Sequence, residues 1–266
     1  MSMSKTALST AIGSLLCDGK IQSLDDELGK YSPSLAKTPF AKISIKNTLQ
    51  MNSGVEQVQK NLKFRRKLNR MSQGIGKHEG KANVLKAISL LAGNDREQGS
   101  KFFYNSSDPL ALSILISDIT NKPASEIFYQ NAYKKFNKNN FMHWVSDKNG
   151  ITVAQARLTM TAEDWSNFGQ FVHDEMINNT CLGKFYKEGI TNAVETHRDG
   201  VRYGYQFWVY KVNGVPTFTM TGHGGFFNVV NTSNNTILTI FSLDEKYKYG
   251  NLFSKGTISK IAGEIN

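Results

Sequence analysis

Between Val201 and Leu243 the chain carries four runs rich in β-branched and aromatic residues: VRYGYQFWVY, PTFTMTG, FFNVVNTS and TILTIFSL. Turn residues separate them, with Val212-Asn213-Gly214 after the first and Ser233-Asn234-Asn235 before the last. Asn-Gly between two such runs suits the positive φ angles of a tight hairpin. The stretch therefore predicts an antiparallel sheet. That sheet constrains everything else, because its apolar faces need helices to cover them. SKGTISKIAGEI closes the chain as a helix. The expected architecture is α+β, or mixed α/β, without internal repeats.

The segments ahead of the sheet read as helices. Ala7, Leu8, Ala11, Ile12, Leu15 and Leu16 recur at helical spacing and predict a first helix that buries one face. Asp18-Gly19 ends it, with Gly19 suited to a left-handed cap. Residues 21–55 read as short helices and turns. KNLKFRRKLNR, from Lys60 to Arg70, reads as a solvated basic helix or lid. MSQGIGKHEGK is glycine-rich, but neither Gly76-Lys77-His78 nor Gly80-Lys81-Ala82 supplies the Ser or Thr of a phosphate loop, so it reads as a loop before KANVLKAISLLAG. Asp108 before Pro109 reads as an N-cap and puts Tyr104 on the loop ahead of a buried helix. A helix is expected over Ala124–Lys135, and Thr161-Ala162-Glu163-Asp164 resembles a capping box that starts WSNFGQFVHDEMINN.

Composition narrows the function classes. With 266 residues, 39% hydrophobic content and five prolines, the chain can bury a proper core. The net charge of +10 admits an acidic partner such as nucleic acid, but its plain reading is a solubilising surface, and no nucleic-acid partner is expected. Cys17 and Cys181 are the two cysteines. They show no metal-ligand spacing, so no metal and no cofactor is expected. Cys17 reads as a core residue of the first helix, and nothing in the spacing supports its pairing with Cys181. No apolar run is long enough for a transmembrane helix, and no signal-peptide pattern is present.

The chemistry begins at Ser2-Met3-Ser4-Lys5. Residues three apart on a helix share a face, so a lysine there reaches the serine hydroxyl. An amine held among apolar groups loses its proton and can take the serine's. Ser34-Leu35-Ala36-Lys37 repeats the spacing in a turn-rich region and serves as a decoy. His173-Asp174-Glu175 lacks HExxH spacing, and no GxSxG elbow occurs. Removal of Met1 would leave Ser2 as an N-terminal nucleophile, a rival chemistry.

Four further motifs follow in order: LQMNSGV, FFYNSSD, GYQFWVY and GHGGF. With the Ser2–Lys5 pattern they resemble the serine β-lactamase and penicillin-binding superfamily, in the class C β-lactamase-related branch of esterases and 6-aminohexanoate-oligomer hydrolases. The resemblance covers essentially the whole chain. Leu49 to Val55 is similar to the family's Ser-Gly turn, Tyr104-Asn105-Ser106 falls at its Tyr-x-Asn or Tyr-x-Ser motif, and His223-Gly224-Gly225 at its Lys-Thr-Gly or His-x-Gly motif on the sheet edge.

The resemblance implies a serine hydrolase acting on a small ester or amide through an acyl-enzyme. Ser2 would be the nucleophile, Lys5 its base and Tyr104 the proton shuttle. The backbone N–H groups of Ser2 and Phe226 would form the oxyanion hole, with Gly225, Gly224, His223 and Ser106 binding substrate. The histidine and Ser106 depart from the penicillin-recognising pattern and favour linear esters or amides. The alternative is a weak or inactive penicillin-binding-like or wall-binding relative. The aromatic set Tyr203, Tyr205, Phe207 and Trp208 would wall an acyl pocket or alternate between core and solvent. The resemblance also implies one catalytic domain over 1–266, with 1–22 and 180–266 as the sheet-containing half and 23–179 mostly helical. Family members place a helix and strands before the nucleophile helix, so the chain is expected to lack its N-terminal strands.

Overall fold

The computed structural model describes residues 2–55, 62–74, 81–91, 93–138, 141–242 and 257–264. The glycine-rich segment 75–80 lies outside them. The helices are α1 (Ser4–Cys17), α2 (Leu28–Tyr31), α3 (Ile45–Leu49), α4 (Leu62–Gln73), α5 (Val84–Ser89), α6 (Ser107–Thr120), α7 (Ala124–Phe128), α8 (Lys134–Phe136), α9 (Ala162–Ile177), α10 (Cys181–Thr191) and α11 (Thr257–Glu264). A π-helical turn, Tyr129–Tyr133, joins α7 to α8, so the helix expected over 124–135 is a single run with one wide turn. The strands are β1 (Met142–Trp144), β2 (Leu158–Met160), β3 (Val194–Glu195), β4 (Arg202–Tyr203), β5 (Trp208–Val212), β6 (Val215–Gly222), β7 (Phe226–Asn231) and β8 (Thr236–Ile240).

β1 and β2 form a small antiparallel pair, and β3 to β8 form a six-stranded antiparallel sheet in chain order. The β5–β6 hairpin closes on Asn213 and Gly214, both at positive φ (49° and 80°), as the Asn-Gly signal requires. Alternation along β5 splits its side chains between two layers. Val209 joins Phe218, Met220 and Val230 in the main core, with α1, α9 and α10. Trp208, Tyr210 and Val212 face Ile258 and Ala262 of α11 in a second cluster. Gly169 lets α9 lie close on β7, since a Cβ there would stand 2.4 Å from the Asn228 side chain.

α1 is buried nearly all round rather than on one face, including Ser4, Thr6, Ser9 and Thr10. Local acceptors make that possible for part of this polar set: Thr10 Oγ1 donates to the Thr6 carbonyl and Ser14 Oγ to the Ala11 carbonyl. Cys17 is no simple core residue. It forms a disulfide with Cys181 of α10, so the far end of α1 is tied to the first residue of a helix distant in sequence.

The Leu49–Val55 turn clamps the segment ahead of α6. Gly54 adopts φ +68°, and a Cβ there would meet the Arg96 carbonyl at 2.2 Å, so only glycine fits. The Phe103 N–H donates to the Met51 carbonyl, and Ser53 Oγ donates to Asp108 Oδ1 at 2.7 Å. Asp108 is not the N-cap. It lies fully buried in the first turn of α6, and Asn105 Oδ1 accepts its backbone N–H instead. Thr161 does cap α9, accepting from the Asp164 N–H, but the Asp164 carboxylate accepts from the Tyr133 hydroxyl and the Lys138 N–H rather than completing a capping box.

Burial pushes the Asp108 carboxyl up to about 7, against hydrogen bonds from Ser53 and Asn105 and the charge of Arg96. The folded state therefore holds this proton between its ordinary 3.8 and about 7, and stability falls as pH rises through that window. Asp108→Asn should be more stable than the parent at pH 8, by a few kcal/mol at ~1.4 kcal/mol for each tenfold change in proton affinity, with the advantage gone near pH 4; urea unfolding at both pH values measures this. Reduction of Cys17–Cys181, whose loop spans 164 residues, should lower stability by about 2–5 kcal/mol, read as a lower Tm in dithiothreitol that the Cys17→Ser/Cys181→Ser variant reproduces.

Candidate active site

Ser2 lies in the turn just ahead of α1, not inside its first turn as the spacing suggests. The helix begins at Ser4 with Met3 as its N-cap, and the Lys5 N–H donates to the Ser2 carbonyl at 3.1 Å. The tight turn still brings the side chains together: Lys5 Nζ stands 3.4 Å from Ser2 Oγ. Its shorter contact, 2.6 Å, is to the backbone carbonyl of Gln155. Lys5 is only 4% exposed, and burial lowers its amine from 10.5 to about 7.

Tyr104 reaches the same place from a different part of the chain. Lys5 Nζ lies 5.1 Å from the centroid of the Tyr104 ring, and the Tyr104 hydroxyl hydrogen-bonds with Ser2. Burial pushes this phenol up to about 12, against that hydrogen bond and the charge of Arg198. Tyr104 is held by aromatic packing, stacked on Trp208 at 5.5 Å and edge-on to Tyr203 at 5.9 Å. The four sheet aromatics neither wall one pocket nor alternate with solvent. All are buried, Tyr203 and Trp208 against Tyr104 and Phe102, Tyr205 and Phe207 in the main core.

His223, Gly224 and Gly225 sit in the hairpin turn between β6 and β7, interior strands of the sheet, not on a strand or a sheet edge. Gly224 and Gly225 have φ of 93° and 86°, a backbone that a turn wants and a strand does not. His223 is exposed, and Phe226 opens β7 with its ring packed edge-on to Phe241. Ser106 is partly buried at the start of α6. The contacts that assemble Ser2, Lys5 and Tyr104 involve none of these five residues. The decoy serine, Ser34, is committed elsewhere, its N–H and hydroxyl both donating to Asp118.

Three residues escaped sequence reasoning. Gln155 acts through a backbone carbonyl, which no side-chain motif announces. Arg198 lies 4.6 Å over the Trp208 ring and sends positive charge toward Tyr104, but it belongs to a loop without a pattern. Gln206 is buried with φ +62°, donating from Nε2 to the carbonyls of Thr48 and Leu49 while its own carbonyl accepts from Thr6 of α1. A cavity of about 430 Å³ lined by Phe136, Asn167, Gln170 and Phe171 lies between α8 and α9 and includes none of Ser2, Lys5 and Tyr104. Among the described residues no cluster of acidic, histidine and cysteine side chains has the makings of a metal site, and no helix is long and apolar enough to cross a membrane.

Solved structures share this fold. A protein described as a 6-aminohexanoate-dimer hydrolase from Bacillus anthracis superposes with a TM-score of 0.80 at 21% identity, covering 98% of this chain and 70% of its own. A D-stereospecific amidohydrolase from Streptomyces sp. matches with a TM-score of 0.68 at 17% identity, over 90% of this chain and 79% of its own. A D-amino acid amidase from Ochrobactrum anthropi matches with a TM-score of 0.67 at 14% identity, over 91% and 84%. No curated protein sequence matches. The sequence profile of the Beta-lactamase family matches residues 1–249, and with the β-lactamase/transpeptidase-like fold this shows that the chain belongs to that family of hydrolases.

Proposed function

We propose that this protein is a serine hydrolase that cleaves a small, linear ester or amide through an acyl-enzyme. One observation carries the reading: a buried lysine amine, held near pKa 7, stands within 3.4 Å of a serine hydroxyl that also meets Tyr104. Ser2 Oγ attacks the substrate carbonyl as its proton passes to Lys5 Nζ. Tyr104 then relays a proton to the leaving group, and water reverses the steps to release the acid. The N–H groups of Ser2 and Phe226 are the proposed oxyanion donors, and Ser106, His223, Gly224 and Gly225 the proposed substrate contacts. We read the chain as one catalytic domain, with 1–22 and 180–266 as its sheet-containing half and 23–179 mostly helical. The relatives described as amidases, and a neighbour described as a family VIII carboxylesterase, support the substrate class.

A second reading draws on the shorter contact of Lys5, to Gln155 at 2.6 Å rather than to Ser2. It makes the protein a binding relative that keeps the pocket without turnover. Intact-mass spectrometry with a fluorophosphonate separates the two. The hydrolase should gain one adduct, mapped to Ser2; Ser2→Ala should abolish it, and Lys5→Ala should slow it by on the order of 10³-fold. Because only the neutral amine is a base, the labelling rate should rise with pH through about 7 and then level. A folded sample with no adduct favours the binding relative.

A further inference from the structure

The stretch 151–157 runs beside the N-terminal end of α1 and turns a row of backbone carbonyls toward neighbouring elements. The Thr152 carbonyl accepts from Ser113 Oγ of α6, the Ala154 carbonyl from Ser4 Oγ, and the Ala156 carbonyl from Trp144 Nε1 of β1. Between them, the Gln155 carbonyl accepts from Lys5 Nζ. The Gln155 side chain is 3% exposed and points elsewhere: its Nε2 donates to Ser72 Oγ of α4 at 3.0 Å, and Ser72 is itself buried. One residue thus binds the amine through its backbone and α4 through its side chain.

A neutral amine has two N–H groups and one lone pair. If one N–H is fixed on the Gln155 carbonyl, rotation about the last side-chain bond is restricted, and the lone pair can settle toward Ser2 Oγ, 3.4 Å away. If that peptide drifts, the amine turns freely and the lone pair faces the hydroxyl for less of the time. We propose that Gln155 is a positioning residue for Lys5: its side chain, held by Ser72, fixes the peptide whose carbonyl orients the amine toward Ser2. The inference rests on Lys5 being the base of Ser2. The other groups around that amine are Tyr104, under the lysine, and Arg198, which acts on Tyr104.

The test compares Gln155→Ala, Ser72→Ala, Ser72→Thr and the double alanine variant in the full chain. The first readout is the pH profile of fluorophosphonate labelling, in which the Ser2 Oγ–phosphorus bond forms, fluoride leaves with its electron pair, and the serine proton stays on Lys5. Each alanine variant should lower the plateau rate about tenfold. The double variant should be no slower than either, because one tether is broken in all three. Ser72→Thr, which keeps the hydroxyl, should restore the parent rate. Additive losses, or a Ser72→Ala rate equal to the parent's, overturn the proposal. The second readout needs no activity. In protein labelled with ¹³C-lysine, the Lys5 signal, identified by its loss in Lys5→Met, should titrate near 7 in the parent and be displaced in Ser72→Ala. An unmoved midpoint overturns the tether even if the parent is never labelled, whereas a displaced midpoint with no labelling of the parent overturns the hydrolase reading alone.

Discussion

The arrangement depends on one buried amine. Lys5 is carried on a helix that has almost no solvent face, so its position is set before its chemistry is. An ammonium there would lack water, and the amine loses its proton near pH 7 as a result, well below its ordinary 10.5. Around it the fold supplies one strong acceptor, the Gln155 carbonyl, and the ring of Tyr104. The unfolded chain would hold the lysine proton up to 10.5, so the folded state gives up stability that is fully lost below about pH 7 and regained as pH climbs toward 10.5. Asp108 gives up stability with the opposite pH dependence. Lys5 and Asp108 therefore both weaken the fold around neutrality.

That loss is offset at a distance. The disulfide ties the far end of α1 to α10, and the aromatic packing of Tyr205 and Phe207 sits against the same layer. A helix anchored at its far end and embedded along its length has little freedom to shift its N-terminus. The placement of Ser2 just outside α1 then matters less than it would on an exposed helix, because the following turn is pinned through Ser4 to Ala154 and through Thr6 to Gln206.

Much of the fold was legible in residues 201–243. Asn213-Gly214 specified its hairpin because few residue pairs tolerate two successive positive φ angles. Gly224-Gly225, set on the sheet edge by the resemblance, was not read by that logic. A glycine pair suits both a closely approached strand and a turn, and the positive φ values of the structure select the turn. The periodicity of α1 was correct but underestimated its burial, since Thr10 and Ser14 satisfy themselves on their own helix and need no solvent. Asp108 read as a cap because Asp before Pro usually is one; the Ser53 hydroxyl, distant in sequence, made a buried carboxyl possible instead. Cys17 and Cys181 illustrate the limit: a separation of 164 residues carries no pairing information until the fold brings α1 beside α10.

The proposed triad shows why a motif in order is informative while its members alone are not. Ser2 and Lys5 are local and depend on one turn. Tyr104 depends on two long-range devices, the Leu49–Val55 turn that fixes the backbone before α6 and the Trp208 face on which its ring stacks. Gly54 admits that turn only because it has no side chain to meet the Arg96 carbonyl. Trp208 is available only because β5 directs alternate residues to the α11 side of the sheet. The LQMNSGV and GYQFWVY motifs thus need not touch substrate to belong with the serine and the lysine. They are the parts of the sequence that pack and tether the segment carrying Tyr104.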